Sequence, residues 1–164
     1  MPLDLSTTPV SAWLTASVPV ITPETPIATA LRLLRDHGVP ALPVCAGARL
    51  LGLVDEKALL RFTPSEMTAL DVYEIREWLD RITVARAVAP TAATVAPWAS
   101  LSEAGAKMLR TGADAIAVVD GCRLVGLVTR TALLEAAVDE PTHERGSHRT
   151  RVGGAVDALE PADV

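Results

Sequence analysis

The sequence predicts an α/β (α+β) fold made of two tandem units, each ordered strand-helix-strand-strand-helix. Two observations carry this expectation. Residues 10–60 align with 84–134 at a constant offset of 74 without a gap, and 15 of the 51 pairs are identical. The identities include Pro23/Pro97, Gly38/Gly112, Gly47/Gly121, Gly52/Gly126 and a closing Ala-Leu-Leu at 58–60 and 132–134. Most other pairs keep apolar character, as Ile27/Leu101 and Leu42/Ile116 do. A fixed period of this kind marks a duplicated supersecondary unit, and the glycines in register argue against chance. Within each copy, moreover, a helical apolar period stops at a glycine and two short apolar runs follow.

The elements can be justified in order. A short strand is expected near 20–21, and again near 94–95. Thr25 with Pro26 reads as a cap and first-turn pair, and Ser100 with Glu103 as a capping box. From there Ile27, Ala30, Leu31 and Leu34 recur at helical spacing, as do Leu101, Ala104 and Met108. Gly38 and Gly112 end those helices. The runs 41–45 and 50–54, joined through Gly47, read as a hairpin, as do 115–119 and 124–128 joined through Gly121. Their continuous apolar character predicts strands covered on both faces. A second helix is expected near 56–62 and 130–138.

Between the copies, 61–83 predicts a helical linker. Asp71 and Glu74 form a capping box, and Val72, Ile75, Leu79 and Ile82 share a face. Trp78 beside that face is expected to pack onto the neighbouring half rather than touch a ligand. The organisation is thus unit 1 (10–60), linker (61–83), unit 2 (84–138) and a final segment, 139–164. That segment holds six acids, three bases, two prolines and three glycines without periodicity, and is expected to be a mobile tail.

Composition narrows the function classes. The 164 residues are 49% apolar with a net charge of −5. The acidic balance argues against a general nucleic-acid binder, which carries a basic footprint. No run approaches the length of a membrane span, and the first residues lack the basic start of a secretory signal. The two cysteines make neither a disulfide framework nor a C-x-x-C pair. These features predict a cytoplasmic protein that engages neither nucleic acid nor membrane.

The duplicated unit, with "G-x-x-A-[LI]-x-V", "R-L-[LV]-G-L-V" and "A-L-L" in each copy, resembles a pair of CBS domains, the Bateman module. The resemblance spans 10–134. It implies two halves packed through their sheets about a pseudo-two-fold axis, with two clefts between them. Members of this family bind adenosine-containing ligands there, such as AMP, ADP, ATP or S-adenosylmethionine, and act as regulators rather than enzymes. Two modules commonly pair into a homodimer.

In nucleotide-binding members the third strand runs into the second helix as "G-h-x-[TS]-x-x-[DN]". The hydroxyl meets phosphate or ribose, and the carboxylate accepts both ribose hydroxyls. The second copy reads Gly126-Leu127-Val128-Thr129-Arg130-Thr131-Ala132, and the first reads Gly52-Leu53-Val54-Asp55-Glu56-Lys57-Ala58. Thr129 is kept, Asp55 stands where the other hydroxyl belongs, and both ribose carboxylates are replaced, by Ala58 and Ala132. The resemblance therefore favours the Thr129 cleft. Arg130 could reach a phosphate there, and the helix that starts beside it offers backbone N–H groups to an anion. Asp55 would repel phosphate, with Lys57 compensating in part. The adenine slot is implied at Ala113, Asp114, Ala115 and Ile116 in one copy and at Val39, Pro40, Ala41 and Leu42 in the other. Thr22 and Ala96 are implied at the cleft edge. Plain strand packing is the competing role for the slot residues. For Thr129, a helix cap alone and a cap plus ligand contact stand level.

No other chemistry is prominent. His143 and His148 lack accompanying cysteines, and His37 sits where a cationic ring would complement a helix C-terminus. Cys45 is expected buried and Cys122 exposed in a turn. No catalytic motif is present, so no enzyme and no required cofactor are expected. Two functions remain: a regulatory module sensing an adenosine-containing metabolite for an unidentified client protein, or a dimeric interaction module whose degenerate clefts bind no nucleotide.

Overall fold

A computed structural model describes residues 3–63, 71–90 and 93–138. The expected tail, His143 and His148 lie outside them. In chain order the elements are α1 (Ile27–His37), β1 (Ala41–Ala46), β2 (Arg49–Asp55), α2 (Glu56–Leu60), α3 (Val72–Arg81), β3 (Ala89–Pro90), β4 (Thr94–Val95), α4 (Leu101–Thr111), β5 (Ala115–Asp120), β6 (Arg123–Thr129) and α5 (Arg130–Val138). Short 3₁₀ turns at Val10–Ala12 and Val84–Arg86 open the two copies.

The division in space differs from the division in sequence. One compact unit is formed by 19–63 with 71–90, the other by 3–18 with 93–138. Each copy's leading arm therefore belongs to the other copy's body. The bonds that fix the arms repeat at the same offset as the sequence. Val10 N donates to Ala99 O and Ser11 N to Pro97 O, as Val84 N does to Thr25 O and Ala85 N to Pro23 O. Beyond them Thr15 pairs with Leu127 through both of its backbone bonds, 2.7 and 3.0 Å, while β3 joins the edge of β2 at Leu53 and Gly52.

Gly52 and Gly126 make this approach possible. A Cβ on Gly52 would strike the Ala89 carbonyl and Val88, and one on Gly126 would strike the Thr15 carbonyl and Leu14. Backbone lies where a side chain would stand, which is why glycine recurs at this offset.

Both hairpins are antiparallel and share a bulge. The register shifts between Val44 and Cys45 in one and between Val118 and Val119 in the other. β4 lies parallel to β5, with Val95 beside Val118; Ile21 makes the equivalent parallel bridge to Val44. α1 and α4 end at Gly38 and Gly112, both left-handed, with φ of 59° and 69°. Expected full coverage of the strands holds for β6, which is buried from Leu124 to Val128. β2 departs from it, alternating between buried and partly exposed positions. The core of the second body gathers Val10, Trp13 and Leu14 from the arm with Leu101, Met108, Ile116 and Val128. Each such side chain contributes roughly 1.5–3 kcal/mol on burial.

Three local expectations are corrected. Pro26, not Thr25, is the cap position of α1, because its ψ of 145° is extended and no side chain caps the helix. Thr25 is instead buried, its hydroxyl accepting from Thr22 N at 3.1 Å. Ser100 does accept from Glu103 N at 3.1 Å, while the Glu103 carboxylate turns to Lys107 at 3.3 Å. The linker helix α3 carries its capping box but lies against α1 of its own unit, with no residue fully buried. Val72 on its expected apolar face is 75% exposed and Trp78 is 39% exposed.

The glycine contacts give a test. Gly126→Ala is expected to destabilise the protein by about 1–3 kcal/mol through overpacking, read from urea unfolding. Gly105→Ala is the control, since its Cβ would meet only Leu133 at an ordinary 3.6 Å.

Candidate functional site

The end of each hairpin nearest the second helix is where the sequence placed a binding site. In one unit β5 begins at Ala115 directly opposite Thr129, the last residue of β6. α4 stops at Gly112, so Ala113 and Asp114 bridge helix to strand beside the first turn of α5. Arg130 N donates to Asp114 O at 2.9 Å, which fastens that bridge to the helix start.

Thr129 is half-buried, and its Oγ1 accepts from Ala132 N at 3.1 Å. It is a true helix cap, and its hydroxyl proton remains available to donate. The Arg130 guanidinium is already engaged. One nitrogen pairs with the Asp114 carboxylate at 3.1 Å, and the other donates to Ala113 O at 3.2 Å. Expected free N–H groups at the helix start are fewer than predicted: those of Arg130 and Ala132 are taken, leaving that of Thr131.

The equivalent end of the other unit has the same backbone and opposite chemistry. Ala41 faces Asp55 across the hairpin. Asp55 accepts from Ala58 N at 2.7 Å, so a carboxylate does the capping that Thr129 does elsewhere. Glu56 stands where Arg130 does and Pro40 where Asp114 does, so no such ion pair can form. Val39 and Pro40 are half-buried, while Ala41 and Leu42 are buried.

Some implied residues are not brought together. Ile116 is fully buried in the core cluster and packs there. Ala96 and Thr22 lie at the wrong end of their sheets. β4 runs parallel to β5, so Ala96, one residue past Val95, continues toward the far end of β5, away from Ala115 and Thr129. Thr22, one past Ile21, does the same beside β1 and closes a turn with Thr25. In a strand-helix-strand crossover, residues before the first strand, not after it, flank the start of the next. By that register Ala93 stands beside Ile116 and Pro19 beside Leu42, positions the sequence reading did not single out. The parallel direction implied by the intervening helix was the signal that could have found them.

Where the resemblance implies a ribose carboxylate, Ala132 is 8% exposed and Ala58 half-buried. Among the described residues no group of three or more His, Cys, Asp or Glu is placed to hold a metal ion. No helix there is long and apolar enough to cross a membrane. His37 ends α1, exposed.

A family model described as "CBS domain" matches residues 10–65 and 85–139, following the two sequence copies. The chain belongs to the CBS-domain family. Solved structures agree with a CBS pair. One is the CBS domain of a CBS-domain-containing membrane protein from Sphaerobacter thermophilus, with a TM-score of 0.69, 24% identity, and coverage of 80% of this chain and 89% of that one. Another is CBSX2 in complex with AMP, with a TM-score of 0.66, 25% identity, and coverage of 79% and 96%. A third is the CBS domain of a bacterial CNNM/CorC family Mg2+ transporter in complex with ATP, with a TM-score of 0.64, 24% identity, and coverage of 82% and 89%. Comparison with curated proteins returned no match.

The two cysteines of this CBS pair differ in environment. Cys45 is buried in β1, and burial pushes its thiol above the ordinary range; Cys122 is exposed in the β5–β6 turn. At pH 8 a thiol reagent is expected to modify Cys122 quickly and Cys45 only after unfolding. The sign for stability follows. Below the ordinary thiol pKa the Cys45 contribution is complete. As pH climbs past that value the unfolded chain ionises first, so stability declines.

Proposed function

We propose that this CBS pair is a regulatory module that senses an adenosine-containing metabolite at the Thr129 end, rather than an enzyme. The observation that carries the reading is the pairing of Thr129 with Ala115, which sets a hydroxyl with an unspent proton beside the start of β5. Membership of the CBS family supports it, as does likeness to CBSX2, described in complex with AMP. The ligand class is AMP, ADP, ATP or S-adenosylmethionine. Binding changes a surface presented to a client protein in the cytoplasm, and it does so only if the ligand prefers one arrangement of the chain. A homodimer fits the same reading: Leu109 on α4 and Leu134 on α5 are 84% and 61% exposed, apolar surface that a second copy would cover.

One observation favours a second reading, an interaction module that binds no nucleotide. Ala132 and Ala58 cannot accept ribose hydroxyls, and such a charge-assisted bond is worth about 1.5–3 kcal/mol.

A thermal-shift series with AMP, ADP, ATP, S-adenosylmethionine, NAD and guanine nucleotides separates the two. A ligand at a hundred times its Kd adds about 2.7 kcal/mol, expected here as a rise of roughly 5–10 °C. A selective shift by an adenosine compound supports sensing, and no shift at millimolar concentration supports the interaction module. Thr129→Asp then tests the site. It keeps a capping acceptor, as Asp55 does, so melting is expected near wild type while affinity falls roughly tenfold, about 1.4 kcal/mol. Unchanged affinity would move the site elsewhere.

A further inference from the structure

Arg130 is the cation that follows Thr129, and its environment bears on which adenosine compounds the site accepts. Its guanidinium meets the Asp114 carboxylate at 3.1 Å and the Ala113 carbonyl at 3.2 Å. The backbone enforces this meeting. Ala115 sits opposite Thr129, and Arg130 N bonds Asp114 O, so the two charged side chains leave adjacent backbone positions. The pair is formally neutral. It is also open to water, with the Arg130 and Asp114 side chains 50% and 64% exposed, so it is a weak and reversible contact. A phosphate approaching Arg130 has to displace a carboxylate that is already in place. The exchange replaces one charge-assisted contact by another and gains little.

We infer that Asp114 is a specificity-determining residue: by holding Arg130 it suppresses phosphate recognition, so the site selects ligands by their adenosine moiety and is nearly indifferent to a 5′-phosphate. This rests on the adenosine reading given under Proposed function. It goes beyond it by assigning a residue and a ligand preference. The other copy shows that the fold does not require the pair, since Pro40 and Glu56 occupy the equivalent positions and the hairpin and helix form all the same.

The test is calorimetric titration of the full chain with adenosine and with AMP. In wild type the two are expected to bind within about threefold of one another. Asp114→Asn is expected to raise the preference for AMP over adenosine by about three- to fivefold, the range an exposed ion pair supports, whatever it does to adenosine itself. Adding Arg130→Gln to that variant is expected to remove the gain. Three results overturn the inference alone: wild type preferring AMP by more than about tenfold, Asp114→Asn leaving the AMP-to-adenosine affinity ratio unchanged, or the ratio rising just as much when Arg130→Gln is also present. If neither compound binds wild type or variant, the adenosine reading falls and this inference falls with it. Asp114→Asn keeps the Arg130 N to Asp114 O backbone bond, so folding is preserved and the titration remains interpretable.

Discussion

Thr15 and Leu127 exchange two backbone hydrogen bonds, and Ala89 and Pro90 lie along Leu53 and Gly52 in the same way. These contacts depend on a missing side chain at Gly126 and Gly52. Much else follows from them. The arm brings Val10, Trp13 and Leu14 into the core of one body, and the paired backbone satisfies strand-edge groups that would otherwise face water. Because each arm serves the body built from the other copy, neither copy's sequence makes a complete unit by itself. The duplication is therefore interlocked through backbone, not only through side-chain packing.

The two copies then diverge where the fold permits it. The first turn of α2 and that of α5 need an acceptor for the amide three residues on, and both Asp55 and Thr129 supply one. Capping demands an oxygen, not a charge. The requirement of the fold is thus met by side chains with opposite consequences for an anion. One end carries Asp55 and Glu56. The other carries a hydroxyl and an internally compensated ion pair. The strand-to-helix junction stays constant while its electrostatics are free to vary.

Parts of this were legible in the residues. The glycine spacing, the apolar runs and the Asp71–Glu74 capping box placed the helices and hairpins to within a few residues, because those signals are local. Thr129 was legible as a cap for the same reason. The positions of Thr22 and Ala96 were not. Their place depends on a parallel pairing across an intervening helix, which carries the residues after the first strand toward the end of the sheet away from Ala115 and Thr129. The Asp114–Arg130 pair was equally hidden: the partners are far apart in sequence and meet only through the register of β5 and β6.

What the sequence determined by itself was the repeat, the order of the elements, the aliphatic core and the alanines at 58 and 132, since each depends on residue identity and short-range spacing. What only the tertiary structure decided was which segments complete which body, which backbone amides are already spent, and that Arg130 is held by Asp114. Those are long-range pairings. Their geometry is fixed by strand register and by backbone approaching at Gly52 and Gly126, and no local pattern of side chains encodes it.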